Sequence, residues 1–87
     1  MRFALFRGFE QETVIKGQKS VREAMETIAD YMMSNGIVNT KVYKLVNGSF
    51  EGRGYQVFKR GDGMYCYKLS GLWSQVHEIK SGVTADE

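Results

Sequence analysis

Cys66 and His77 are the only thiol and the only imidazole in the chain. With an Asp or Glu they are the residue types of a nucleophile and its base, the base drawing the proton off the attacking group. Nothing in their spacing joins them. Cys66 falls mid-strand among apolar neighbours, where an inert, half-buried thiol is expected. One Cys and one His also fall short of the four ligands of a structural zinc site. Gly52-Arg53-Gly54 is a GxG alone and does not open a helix, so it lacks the setting of a phosphate-binding loop. Arg60-Gly61-Asp62 is the tripeptide that integrins read, and Asn47-Gly48-Ser49 matches a glycosylation sequon. Both are equally what tight turns demand, and both are read as turns. The chain is therefore expected to be no enzyme and to hold no metal or cofactor.

The bulk figures set the frame in which any other chemistry must work. Eighty-seven residues suffice for one domain, assigned to residues 1–81 with a flexible acidic tail at 82–87. Hydrophobic residues are 43% and charged residues 25%, which argues for a folded chain rather than a disordered one. Aromatics reach 13%, and there are ten Gly and no Pro, so Gly, Asn and Asp must make the turns. A single cysteine excludes an intrachain disulfide and points to a reducing compartment, read as the cytoplasm. The apolar run at the N-terminus breaks at Arg7, too early for a secretory leader. No stretch approaches the roughly 18–20 apolar residues of a membrane span. Net charge is +2, unevenly spread. Residues 37–69 hold Lys41, Lys44, Arg53, Lys59, Arg60 and Lys68 against Glu51 and Asp62, a local excess of +4. An anionic partner is compatible with that excess.

Spacing then supplies the elements. Residues 2–9 read as a strand, Glu10-Gln11-Glu12 as a turn, and Thr13–Lys16 as a second strand. Ser20-Val21-Arg22-Glu23 is a capping box. Val21, Ala24, Met25, Ile28, Tyr31 and Met32 follow at helical spacing, and Asn35-Gly36 ends the helix, placed at roughly 20–35. Asn47-Gly48 signals a hairpin, and a second reversal lies within Arg60–Gly63. Residues 70–80 fit helix and strand alike. The expected fold is α+β, in the order ββαβββ, with four to five antiparallel strands and the helix packed on one face.

Period-two alternation divides the central strands into two faces. One carries Lys41, Tyr43, Leu45, Phe50, Gln56, Phe58, Arg60, Tyr65, Tyr67 and Leu69. The other carries Val42, Lys44, Val46, Glu51, Arg53, Tyr55, Val57, Lys59, Met64, Cys66 and Lys68. Burying five charges is prohibitive unless they are paired. The ring-bearing face is therefore expected under the helix, approached closely at Gly52 and Gly54. The basic face is expected to meet a partner through Lys44, Arg53, Tyr55, Val57, Lys59 and Lys68. Its Tyr, Arg and aliphatic mixture suits a protein interface. Nucleic acid, held through phosphates on the same face, is the alternative partner. An open edge strand also admits a homodimer. No membrane partner is expected.

Two resemblances bear on this reading. Arg53-Gly54-Tyr55-Gln56-Val57-Phe58 resembles part of an RNP motif of RNA-recognition modules, and Leu5-Phe6-Arg7-Gly8 echoes their N-terminal motif. The match departs at residues 60–69, which read as a hairpin where the module needs its second helix. An inward Phe58 would also be unable to stack a base. The strand pair before Ser20, the capped helix and the hairpins at Asn47-Gly48 and Asp62-Gly63 together resemble small phage-encoded inhibitors of the anti-CRISPR kind. That likeness implies a non-enzymatic protein, acting in the host cytoplasm, that blocks a nucleic-acid-handling complex by occupying a charged surface on it.

Overall fold

In the computed structural model, residues 1–69 and 75–81 are described. They form β1 (Arg2–Arg7), β2 (Glu10–Lys16), α1 (Val21–Ser34), β3 (Asn39–Val46), β4 (Ser49–Arg60), β5 (Gly63–Lys68) and β6 (His77–Lys80). All the pairings are antiparallel, and the six strands lie in the order β2-β1-β3-β4-β5-β6. The class is α+β with one helix, as the sequence indicates. The sheet has one more strand than expected, because the second half of the ambiguous stretch 70–80 pairs with β5. Residues 70–74 and the expected tail 82–87 lie outside the described residues. Among the described residues no helix is long and apolar enough to cross a membrane.

The helix starts where its capping residues predict. Ser20 Oγ accepts from the Glu23 N–H at 3.1 Å, while the Glu23 carboxylate accepts from the Lys19 N–H at 3.4 Å, one residue upstream of the usual return bond. At the other end the Ile37 N–H donates to the Met32 carbonyl at 2.9 Å, folding Ile37 back onto the core. Ala24, Met25, Ile28, Ala29 and Met32 form the buried stripe of the helix.

What the stripe meets corrects the face assignment. The helix covers Phe3, Leu5, Val42, Val57, Met64 and Cys66, with Ile15, Tyr55 and Ile79 at the margins. The lysine-bearing face is thus the inner one, and the ring-bearing face is open. The reason lies in where the charges fall along each strand. Lys44, Glu51, Arg53, Lys59 and Lys68 stand towards strand ends or in an irregular stretch and are exposed, save the half-buried Lys44, while the middle of the face is apolar. Counting charges over the whole face misses that distribution. Fully burying side chains such as Phe3, Leu5, Ile28, Met32 and Met64 stabilises the fold by about 1.5–3 kcal/mol each, so the cohesion of the domain is concentrated on this side.

The hairpins set the register of the open side. The first reversal comes at Gly8–Phe9, earlier than the expected Glu10–Glu12, and a slip between Leu5 and Phe6 absorbs the difference. Asn47 and Gly48 take left-handed φ values of 52° and 81°, as a two-residue turn requires. Arg60 pairs with Gly63, which leaves Gly61-Asp62 at the tip of the next turn. Between the pairs Lys44–Glu51 and Val42–Tyr55, β4 carries two residues more than β3. An even insertion preserves the faces. The irregular stretch contains Gly54 at φ +84°, where an added Cβ would lie 2.5 Å from the Val42 carbonyl oxygen and 2.9 Å from Tyr43 Cδ1. Gly54 thus serves Tyr43, on the open side, and not the approach of the helix.

Candidate functional site

The open face carries two groups of rings. Phe6, Tyr43 and Phe50 come from three different strands. Phe6 meets Tyr43 and Phe50 edge-on at 5.5 Å, and Tyr43 and Phe50 stack at 4.7 Å. Phe58, Tyr65 and Tyr67 form the second group, with Phe58 stacked on Tyr65 and edge-on to Tyr67, each at 5.9 Å. Strand pairing produces both sets. Phe6 lies opposite Lys41, Leu45 opposite Phe50, and Phe58 opposite Tyr65, and directly paired residues project to one side. These rings are half-buried, save Phe50, which is 48% exposed. The tyrosine hydroxyls explain why this side faces water more readily than the aliphatic one.

Cations lie against the rings. Lys41 Nζ sits 5.5 Å from the Tyr43 centroid, and the Arg60 guanidinium 4.6 Å from that of Tyr65. Such contacts contribute about 0.5–1 kcal/mol at exposed sites, so the cations are positioned without being locked. Register places Arg2 and Lys16 on the same side at the β1–β2 end, since Arg2 pairs with both Lys16 and Leu45. Glu78, paired with Tyr65, is the acidic neighbour at the opposite margin. Between the two ring groups an amide pair bridges β3 and β4. Gln56 Nε2 donates to Asn39 Oδ1 and, at 3.0 Å, to the Thr40 carbonyl.

The residues expected to form a contact surface are not assembled as one. Val57 is fully buried beneath the helix. Tyr55 packs against Phe3 with ring centroids 6.3 Å apart, and burial, followed by the nearby Glu51 charge, pushes its hydroxyl pKa up. Lys44 is half-buried and pairs with Glu51 at 3.7 Å. Arg53 lies in the irregular stretch, Lys59 near the Gly61-Asp62 turn, and Lys68 opposite Tyr55. The open face instead carries the ring set with Arg2, Lys16, Lys41 and Arg60. Period two had already grouped these rings, apart from Phe6. The signal that would have turned them outward is the unbroken aliphatic centre of the other face.

Cys66 and His77 turn out to be cross-strand neighbours, which their spacing did not suggest. Both line a 390 Å³ cleft between the start of the helix and the β5–β6 side, together with Val21, Met25 and Tyr55. Burial pushes the Cys66 thiol up, opposite to the shift that activates a nucleophile. No hydrogen bond joins the two side chains. Among the described residues no group of three or more His, Cys, Asp or Glu is placed to hold a metal. Compared with protein-family profiles, curated proteins and solved structures, the chain matches none.

Proposed function

We propose that this chain is a non-enzymatic binding protein whose open sheet face takes single-stranded nucleic acid. The observation that carries the reading is the pair of ring groups on the uncovered face, with Lys41 and Arg60 laid against them. Unpaired bases stack on such rings for about 1–3 kcal/mol each, and the cations meet the phosphates. An arriving base displaces the Arg60 guanidinium from Tyr65, and the freed charge turns to the backbone. Duplex bases are already stacked and offer no such partner. A single copy is the binding unit, because both sheet edges are guarded. The β2 edge bears Glu10, Glu12 and Lys16, and β6 is four residues long with His77, Glu78 and Lys80.

Fluorescence anisotropy with a short labelled oligothymidylate, its RNA counterpart and a duplex tests the proposal. Four phosphate contacts, from Arg2, Lys16, Lys41 and Arg60, correspond to a log–log salt slope of about −3. Binding to single strands with that slope, and weak binding to duplex, is the expected result. No binding to either single strand at low salt would sink it.

A second reading keeps the same face for a protein partner. It is favoured by Leu45, which pairs with the exposed Phe50 at the Asn47-Gly48 end and extends the first ring group into an apolar edge. In that case the chain docks on a nucleic-acid-handling complex and inhibits it, in the manner of the phage-encoded inhibitors its architecture resembles. Its binding would be far less sensitive to salt.

A further inference from the structure

Two hollows open on the ring-bearing face, one on each side of the Asn39–Gln56 amide bridge. The smaller, about 300 Å³, is lined by Phe6, Gly8, Asn39, Thr40, Lys41 and Gln56. The larger, about 550 Å³, runs along Phe58 and Tyr67 and shares Asn39 and Gln56 as its wall. The smaller hollow has three features that the rest of the face does not combine. Phe6, an aromatic, lines the hollow. Its wall holds amides whose bonding is only partly used: Gln56 Nε2 is committed to Asn39 and Thr40, leaving Gln56 Oε1 as an acceptor and Asn39 Nδ2 as a donor with no partner among the described residues. Gly8, which lines it, is followed at the tip of the β1–β2 hairpin by Phe9, which is fully exposed, at 104%.

A phenyl ring wholly in water at a hairpin tip contributes no burial to the fold. We infer that the smaller hollow is a seat for one nucleobase, with Phe9 closing over the base, Asn39 and Gln56 meeting its donor–acceptor edge, and Lys41 meeting its phosphate. This rests on the reading of the open face as a single-strand platform and adds to it a defined position and a means of telling bases apart. The hollow is at the lower end of the roughly 300–1,000 Å³ span of small-ligand sites, which suits one base and excludes a pair. The neighbouring hollow along Phe58 and Tyr67 carries the next nucleotide across the amide bridge.

The test compares Phe9→Ala and Gln56→Leu with Phe50→Ala and Tyr67→Ala. Affinity for labelled oligothymidylate, oligocytidylate and oligoadenylate is read by anisotropy, and thermal unfolding is run on every variant. Losing one stacking ring weakens binding about tenfold, so Phe9→Ala is expected to bind about tenfold less tightly with an unchanged unfolding midpoint. Gln56→Leu is expected to level the affinities for the three homopolymers. If both variants bind as the wild type does while Phe50→Ala and Tyr67→Ala weaken, the seat is refuted and the platform stands. If the wild type binds no oligonucleotide, both fall. Should Gln56→Leu fail to fold, Phe9→Ala decides alone, since its side chain touches nothing that holds the domain together.

Discussion

Replacing Gly54 with alanine tests the geometry that supports the first ring group. Two costs add at this position. Gly54 sits at φ +84°, and an L-residue held at left-handed angles costs about 1–2 kcal/mol. The new methyl would also lie 2.5 Å from the Val42 carbonyl oxygen, a backbone atom in a paired strand, and 2.9 Å from the Tyr43 ring. The ring can move, but the carbonyl cannot without breaking the β3–β4 register. Overpacking of this kind costs about 1–3 kcal/mol. Gly54→Ala should therefore lose about 2–5 kcal/mol, or about 10–25 °C in midpoint for a domain of this size. Gly52→Ala is the matched control. Gly52 has φ +64° but open space around it, so only the conformational cost of about 1–2 kcal/mol applies. Urea unfolding followed by circular dichroism, with the slope checked for constancy, measures both. Equal losses in the two variants would refute the close approach of β4 to Val42 and Tyr43.

Ile28→Ala should cost about 2–5 kcal/mol in urea unfolding, and Phe50→Ala no more than about 1.5, because only the former empties a sealed site; the reverse order would restore the ring-inward sheet. Cys66 should resist a thiol-specific reagent at mildly alkaline pH and react promptly in urea, since burial raises its pKa and covers it; fast native labelling would contradict this. The fold should weaken as pH climbs beyond about 10. Lys80 is raised by its hydrogen bond to Asp30, and Tyr31 and Tyr55 chiefly by burial, so each group holds its proton longer folded than unfolded. The stability from these groups is complete below their ordinary values of 10.5 and 10.0 and is lost on passing the raised ones. Asp30→Asn should remove the Lys80 share of that loss, and a flat urea midpoint across this range would show that the shifts do not exist.

Local signals carried most of the fold. Ser20 and Glu23 place the helix start, the stripe from Val21 to Met32 its buried side, and Asn47-Gly48 the β3–β4 hairpin. Each depends on neighbours close in sequence, so residue type and spacing suffice. The parity of the strands was also legible, because the extra residues between Glu51 and Tyr55 come as an even number. The choice between the two faces was not. It depends on the reach of a fourteen-residue helix across strands that are longer than its footprint. Lys44 and Lys59 count as charges on a face but lie towards its ends, where Lys59 is exposed and Lys44 half-buried. The pairing of Cys66 with His77 was hidden for a related reason, since it needs the register of β6, whose approach runs through residues without a decisive period. The amide bridge between Asn39 and Gln56 joins side chains of two strands across the Asn47-Gly48 hairpin, and no local pattern marks it.

The one-sided distribution of burial divides the chain into positions under two different selective pressures. Beneath the helix, a changed methylene is felt by the whole domain, so drift there is slow. On the uncovered side, a ring or a cation can be exchanged with small loss of cohesion, so a lineage can reshape this surface through single substitutions while inheriting the scaffold intact. Descendants of such a protein would diverge fastest on the side the helix leaves open.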